Sequence, residues 1–468
     1  MSTPGARRPW GRAAAWLAFM APLFYATYGY ANWVASTRAH VPTMVFEWEQ
    51  HVPFWPWTIF PYWTINFFYA LSLFLACDRH TLDRHAARLL TAQALAIACF
   101  LLWPLRFSFG APAVTGAPAL LFDALRAFDQ PFNQAPSLHI ALAVILWDWY
   151  RRLVRPRWML ALLHVWTGLI CASVLTTWQH HFIDIPTGVL LGCLCIWLWP
   201  LERIVAMPQA WQSATDRRRW KLAATYGGGS LLCLGLALTL GGLALWLCWP
   251  AASLALVASC YVGLGARGFQ MNSSGRMFWA ARWLLAPYRF GAALNARLWT
   301  WRLPASVEVT PGLRLGRLPT LVEWRAAGKP RVVSLCAELQ SAIPGTRCVP
   351  LLDLVVPSAS RLRRAIAAVE AARRDRDAGA RVQGGVEPDA DSKGSAVWVA
   401  CALGFSRSAA TVIGWLQVHG AVPEAQAAAG SSTVSHEAVR SARPQIVLRP
   451  DWLLAIDDAT AAAVRLHE

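Results

Sequence analysis

From Trp10 to Ala266 the chain alternates long apolar runs with short polar segments, and beyond that the pattern changes period. A helix that crosses a bilayer needs roughly 17 to 25 mainly apolar residues. Runs of that kind centre near Leu23, Phe68, Ala96, Val144, Leu169, Leu191, Leu238 and Ala258. They predict about eight spans, give or take one. The first six form a group, and the polar stretch ERIVAMPQAWQSATDRRRWK separates them from the later pair. After RMFWAARWLLAPYRFGAALNARLWTW the pattern is that of an α/β domain: EVTPGLRLGRLP and PRVVSLCAE read as strands and SRLRRAIAAVEAARR as an amphipathic helix. AVWVAC reads as a strand and SAATVIGWLQVHG as the helix that leaves it. The expected fold class is a multi-span α-helical membrane domain, a six-helix core plus about two further spans, followed by an α/β domain. The boundaries expected are 1–205 for the six-span domain, 206–302 for linker, two further spans and juxtamembrane segment, and 303–468 for the α/β domain.

Composition agrees with the membrane class, since 56% of the residues are apolar and 27 are Trp. The formal charge of +17 is not gathered into one stripe, as a nucleic-acid face requires, but into short clusters between apolar runs. No nucleic-acid partner is expected. The basic loops carry Arg7, Arg8 and Arg12; Arg79, Arg84 and Arg88; Arg151, Arg152, Arg155 and Arg157; then Arg217, Arg218, Arg219 and Lys221. They alternate with weakly basic loops, which places the N-terminus and the chain beyond Ala266 in the cytoplasm. Trp48, Trp55, Trp57 and Trp178 fall near span ends, as lipid-facing anchors do. The N-terminal run lacks a convincing cleavage site and reads as a retained span rather than a cleaved leader. Cys99, Cys171, Cys193, Cys195, Cys233 and Cys248 lie inside apolar runs, so no structural disulfide is expected.

Two stretches in the six-span group carry candidate chemistry, FNQAPSLHIALAVILW and TTWQHHFIDIPTGVLLG. His139 opens the fourth span on its outer side, and the chain returns through the Arg151 to Arg157 loop to deliver His180 at the outer end of the fifth. His180 and Asp184 are four apart, so on a helix the carboxylate holds one imidazole nitrogen while the other attacks. Arg106, in LLWPLRFSF, sits on the same face, free to clamp a phosphate. Anchoring of the helix ends is the alternative for these residues, and a metal site lacks a convincing third and fourth ligand. PSLH, Pro136 to His139, resembles the second motif of the type 2 phosphatidic acid phosphatases. TTWQHHFID resembles the third, in the form of the branch that contains inositol phosphorylceramide synthases. The resemblance implies a phosphohistidine mechanism: His180 as nucleophile, Asp184 as its orienter, His139 as the acid for the leaving alcohol, and Arg106 and Ser137 as phosphate ligands. Leu138 stands where the family's usual motif has Gly, Val174 where it has Arg, and the Lys of the first motif has no counterpart. Fewer cations favour a phosphodiester head group and transfer, or an impaired site.

The second candidate is VACALGFSRSAAT, Val399 to Thr411. Strand, loop and helix in that order let loop N–H groups and a helix N-terminus converge on one oxyanion. Cys401 is expected to be the nucleophile, as a thiolate, with Gly404 permitting the tight loop and Arg407 offering a planar fork to two phosphate oxygens; a buried structural cysteine is the alternative. From about Val307 onward the chain resembles the dual-specificity phosphatases, through CALGFSRS, RLGRLP, VVSLCAE and HEAVRSARPQIVL. That resemblance implies a phosphocysteine, phosphate binding by Arg407, Gly404 and Ser406, assistance from Ser408 as the thiolate leaves, and Asp353 as the acid. Ala400 stands where that family usually has His. RRDRDAGARVQGGVEPDADSKGS reads as a disordered surface insertion.

The two resemblances together are those of bacterial fusions of a membrane lipid phosphatase with a dual-specificity phosphatase. They imply a multi-pass inner-membrane phosphatase with two sites, no metal and no cofactor, acting on phosphorylated lipids and, for the inner site, lipids or a phosphoprotein. Head-group phosphotransfer and a non-catalytic phosphate sensor are the alternatives. The last two spans and the Arg276 to Arg302 region would hold the inner domain at the leaflet.

Overall fold

The computed structural model describes residues 8–110, 112–202, 204, 217–382, 396–419 and 431–464, and the chain divides into two compact units, Met1–Glu202 and Arg203–Glu468. The first unit is helical: α1 (Trp10–Ser36), α2 (Ile59–Phe74), α3 (Arg79–Leu102), α4 (Ala117–Arg126), α5 (Leu138–Leu153), α6 (Arg157–Thr176) and α7 (Asp184–Leu198). Side chains start two of them. Asp78 accepts the Thr81 N–H at 2.9 Å to open α3, and Ser137 accepts the Ile140 N–H at 3.3 Å to open α5. Helices α5 and α7 approach closely because two glycines let them. A Cβ on Gly188 would lie 2.6 Å from the Ser137 carbonyl oxygen, and one on Gly192 would lie 2.9 Å from that of Ala141. The same approach lets the Ser137 N–H donate to the Asp184 carbonyl at 3.1 Å, which fixes the start of one helix against the start of the other.

All six apolar runs of this unit fall on helices, but among the described residues of the unit only α3 and α6 are both long and apolar enough to cross a membrane. Helices α2, α5 and α7 have 16, 16 and 15 residues, short of the usual spanning length. Arg88 is not a loop cation as the sequence suggested. It lies inside α3 with its side chain 0% exposed, bound through Nη1 to Asp148 at 3.0 Å and through Nε to the Trp199 carbonyl at 2.8 Å. Asp148 also accepts from Arg151 and Arg152 in the last turn of its own helix, so one buried carboxylate ties the interior of α3 to the C-terminal end of α5. Removing Asp148 would leave Arg88 buried and uncompensated, a change that costs about 3–5 kcal/mol in comparable sites.

The second unit begins with α8 (Arg217–Leu240) and the helical stretch Gly242–Phe269, whose regular part is α9 (Cys248–Ser259). Both are long and apolar enough to cross a membrane, although the run expected around Leu238 is centred too late, since α8 ends at Leu240. Then come α10 (Trp279–Leu284) and α11 (Ala286–Thr300). The sheet comprises β1 (Ser306–Thr310), β2 (Leu313–Arg317), β3 (Arg331–Cys336), β4 (Arg347–Leu351) and β5 (Val397–Cys401), in the order β1-β2-β5-β3-β4. Only β1 runs antiparallel to its neighbour, through a turn in which Gly312 has φ 75°. The surrounding helices are α12 (Leu321–Ala326), α13 (Ala359–Val382), α14 (Arg407–His419), α15 (Ser431–Ala442) and α16 (Pro450–Val464). Strand β5 is buried along its whole length, as a continuous apolar strand at the centre of a covered sheet must be. Val397 and Val399 face Leu362, Ile366, Val412 and Ile413, while Trp398 and Ala400 face a smaller cluster with Val332.

Helix α13 corrects one expectation. It continues to Val382, so the first part of the predicted insertion is helical, and residues 383–395 of that segment lie outside the described residues.

Candidate active sites

In the first unit the turn after α6 presents His180. The N–H groups of Gln179 and His180 both donate to the Val174 carbonyl at 3.1 Å, Trp178 adopts φ 54°, and its indole N–H donates to the Val52 carbonyl at 3.2 Å. Val174 is fully buried, its side chain packed in a core cluster with Ile59, Tyr62 and Ile140 and its carbonyl accepting in this turn. His180 Nδ1 lies 3.0 Å from Asp184 Oδ2, and its Nε2 lies 3.2 Å from Ser137 Oγ. The pair forms across a turn rather than along a helix, because α7 begins at Asp184 itself. With Nδ1 donating to the carboxylate, Nε2 keeps the lone pair that a nucleophile needs.

His139 and His180 line one cavity, together with Tyr28, Tyr62, Asp129 and Asn133. His139 stacks on Tyr62 with ring centroids 4.1 Å apart, and its buried Nε2 has no hydrogen-bond partner among the described residues. Burial pushes the Asp129 carboxyl up to about 6, against the opposing influence of His180 and Tyr28. Arg106 is exposed and does not line this cavity, and among the described residues that do there is no Lys or Arg. Two positions along from Arg106, the Ser108 N–H donates to His181 Nε2 at 3.2 Å.

That second histidine belongs to a frame invisible from the sequence. His181 Nδ1 lies 3.0 Å from Glu49 Oε2, which also accepts the Phe182 N–H at 2.8 Å, while Glu49 Oε1 accepts the Phe46 N–H at 2.8 Å. Burial works to raise the Glu49 carboxyl, but these donors outweigh it and hold the group below its ordinary value. The only trace in the sequence is the doubled HH, each histidine of which has its own carboxylate.

In the second unit the loop between β5 and α14 wraps the Cys401 sulfur. The Gly404 N–H donates to Sγ at 3.2 Å, and Ser408 Oγ lies 3.3 Å from it. Gly404 has φ 79°, and a Cβ there would sit 2.5 Å from the Gly316 carbonyl carbon. Gly404→Ala is therefore expected to fail doubly, by left-handed strain and by collision with backbone. The expected outcome is a loss of about 2–4 kcal/mol of stability and of nearly all turnover, read by thermal denaturation and by phosphate release from the full chain. Ser406 faces away from the sulfur, with Oγ donating to the Val447 carbonyl at 2.9 Å, which pins the loop. Arg443, from the late HEAVRSARPQIVL stretch, does the same from another side, donating to the Leu403 carbonyl at 3.2 Å and lying over the Phe405 ring.

Arg407 opens α14 fully buried. Its Nη1 donates to Glu338 Oε2 at 2.8 Å and to the Leu351 carbonyl at 3.0 Å; its Nη2 lies 2.6 Å from Glu338 Oε1 and 2.9 Å from Asp353 Oδ1. Burial works against its charge, yet Asp353 and Glu338 outweigh it and hold the guanidinium well above its ordinary value. The buried Nε has no partner among the described residues. An N–H so placed can donate to an oxyanion. Burial raises the Asp353 carboxyl; Arg407 opposes this and Glu338 reinforces it. A raised value keeps Asp353 protonated to higher pH, which suits an acid for a leaving alkoxide. Among the described residues no three His, Cys, Asp or Glu side chains converge as a metal site requires.

Residues 48–198 match the PAP2 superfamily, about the extent of the first unit beyond α1. No curated protein matches the chain. Solved structures similar to part of the chain include a mouse protein described as a dual specificity phosphatase, in complex with zinc tungstate: 23% identity, TM-score 0.27, covering 35% of this chain and 91% of that one. Human DUSP28 shares 23% identity at TM-score 0.25 over 34% of this chain and 96% of its own. PTPMT1 in complex with PI(5)P shares 20% identity at TM-score 0.24 over 35% of this chain and 99% of its own. The PAP2 match over residues 48–198 and the geometry around Cys401 and Arg407 together support a phosphatase that hydrolyses phosphate esters.

Proposed function

We propose that the chain is a membrane phosphatase with two phosphoryl-transfer sites, a phosphohistidine site on the outer face built on His180, and a phosphocysteine site in the cytoplasm built on Cys401. The observation that carries the second is the buried, unpartnered Nε of Arg407 beside a sulfur that already accepts a loop N–H. Cys401 Sγ attacks phosphorus and the ester P–O bond breaks, with Asp353 giving its proton to the departing alkoxide. Water then attacks the phosphocysteine, its proton returns to Asp353, the S–P bond breaks, and phosphate leaves while Ser408 supports the emerging thiolate. In the first unit His180 Nε2 attacks phosphorus and the ester P–O bond breaks, Asp184 holds the ring, and His139, stacked on Tyr62 in the same cavity, protonates the leaving alkoxide; water then attacks the phosphohistidine, the N–P bond breaks and phosphate leaves, the proton from water returning to His139.

Eight spans with both termini in the cytoplasm fit the basic loops and place the two sites on opposite faces, with the short helices α2, α5 and α7 completing the bundle around the longer ones. In Asp353→Asn the alkaline limb of the pH–rate profile of the Cys401 site is expected to flatten and kcat to fall about 10²- to 10³-fold, because the lost group acts in its protonated form. An unchanged profile would remove Asp353 from the mechanism. Head-group phosphotransfer is a second reading for the His180 site, favoured by the lack of Lys or Arg among the described residues lining its cavity, since a phosphodiester carries less charge than a monoester.

The assignment is tested with the full chain in vesicles carrying phosphatidic acid, measuring phosphate release from the wild type, Cys401→Ser and His180→Ala. Each variant is expected to remove a different part of the activity. Equal release from all three would overturn the two-site reading.

A further inference from the structure

A cleft lies beside the Cys401 loop, reaching it through Ala402 and Leu403 and through Glu338 and Asp353, the two carboxylates bound to Arg407. It is bounded on one side by Glu338, Asp353, Leu354, Ala402 and Leu403 of the α/β domain, and on the other by helices of the membrane segment. Tyr226 comes from α8, Pro250 and Leu254 from α9, and Tyr288, Gly291 and Asn295 from α11. Two of these helical stretches, Arg217–Leu240 and Gly242–Phe269, are long and apolar enough to cross a membrane.

The wall is fastened to the segment after β4 that carries Asp353. The Tyr261 hydroxyl donates to the Asp353 carbonyl at 3.2 Å, and Arg219 Nε donates to the Tyr261 carbonyl. The Tyr226 ring stacks on Tyr261 and meets Tyr288 edge-on, both at 5.5 Å. The segment before α10 is stitched to the domain by the Cys348 N–H to the Ser273 carbonyl and the Ser341 N–H to the Gly275 carbonyl, each at 3.0 Å. Ala296 of α11 is buried in the core of the α/β domain, whereas Phe290, Leu294 and Leu298 stand exposed at four-residue spacing along the same helix. Such a stripe, flanked by Arg289 and Arg297, is how a helix lies in a lipid interface.

We infer that the Cys401 site acts on phosphate monoesters of lipids that stay in the bilayer, admitted sideways between α9 and α11, with the phosphate on the Cys401 loop and the glycerol and first methylenes against Tyr226, Leu254 and Tyr288. The inference rests on the phosphocysteine reading above and adds the substrate class and its route. A lipid needs a polar end continuous with an apolar wall, and the cleft has the Arg407-bound carboxylates Glu338 and Asp353 at one end and Tyr226, Leu254 and Tyr288 along its wall.

Gly291 gives a clean test. It is exposed, and a Cβ built on it meets nothing within 4 Å, so Gly291→Trp narrows the cleft without a collision at the backbone and replaces a poor helix former. Leu254→Trp narrows it from the opposite wall. The full chain carrying His180→Ala, which silences the other site, is reconstituted in phosphatidylcholine vesicles doped with phosphatidic acid. Hydrolysis of the lipid is compared with that of p-nitrophenyl phosphate and a phosphotyrosyl peptide. Both Trp variants are expected to lower the lipid-to-soluble ratio of kcat/KM by about tenfold or more. A ratio unchanged within about twofold, or a peptide turned over faster than the lipid, overturns the inference. If Cys401→Ser leaves all three activities intact, it is the phosphocysteine reading itself that falls. If Cys401→Ser abolishes them while the Trp variants leave the ratio unchanged, only the sideways route and its lipid fall.

Discussion

Cys401→Ser is expected to lower hydrolysis of a small soluble phosphate ester by the full chain, carrying His180→Ala, on the order of 10⁴- to 10⁶-fold. The size follows from what the loop is built to do. It holds the sulfur in place, with the Gly404 N–H donating to it at 3.2 Å and Ser408 Oγ 3.3 Å away, and a serine hydroxyl in the same place is a far weaker nucleophile than sulfur. The comparison that gives the result meaning is with the neighbouring thiols. Cys336 and Cys348 are buried in the same domain; burial pushes the Cys336 thiol well up and that of Cys348 up to about 12, so neither supplies a thiolate. Cys348→Ser should leave kcat within about threefold of the parent. If the two serine variants lose activity alike, the loss reports damaged packing, and Cys401 is not the nucleophile. Arg407→Lys should approach the same loss, because an ammonium cannot hold both oxygens of Glu338 and still offer a planar N–H to the phosphate.

The contrast between Cys401 and Glu338 shows what the chain discloses and what it hides. The nucleophile, its glycine and its arginine occupy seven successive residues between a strand and a helix, so their geometry is local and can be read directly. Glu338 sits 69 positions from the arginine it orients, in a stretch legible only as a strand, and nothing in its surroundings distinguishes it from an ordinary surface carboxylate until β3 and β5 pair. The Glu49–His181 pair is hidden for the same reason, being 132 positions apart. The His180–Asp184 contact was legible, though by a route the structure revises, since a turn before α7 does what a helix face was expected to do. Arg106 shows the opposite failure. Its position after an apolar run suggested a phosphate clamp, but the loop turns its backbone to Pro42 and leaves the side chain exposed, while Ser108 makes the contact toward the histidines. Arg88 misled because an arginine within one turn of a loop and one sealed in a helix bundle look alike in a charge count. Only Asp148, 60 positions on, tells them apart.

His180→Ala is expected to remove phosphoryl transfer by the first unit on the order of 10³- to 10⁶-fold, with the Cys401 activity on soluble esters retained. The effect should be far larger than that of Asp184→Asn. The aspartate touches no reacting atom; it orients Nδ1, and its Oδ2 also accepts the His181 N–H at 3.1 Å, so its loss disturbs the tautomer and the turn together. A fall of about 10²- to 10⁴-fold is the expectation for such a partner. The measurement that separates hydrolysis from transfer is product analysis. With vesicles containing a phosphodiester head-group donor and a lipid alcohol acceptor, a transferase yields a new phospholipid whose formation depends on His180, and a hydrolase yields phosphate from a monoester with the same dependence. The cavity argues for the first, because the described residues that line it offer His139, His180, Tyr28, Tyr62 and Asn133 but no cation to balance a second phosphate charge. If monoester hydrolysis by this site proceeds at full rate with Arg106→Ala, the site manages that charge without Arg106; if it collapses, the exposed Arg106 swings in on the substrate, and the monoester reading gains the ligand that the cavity wall lacks.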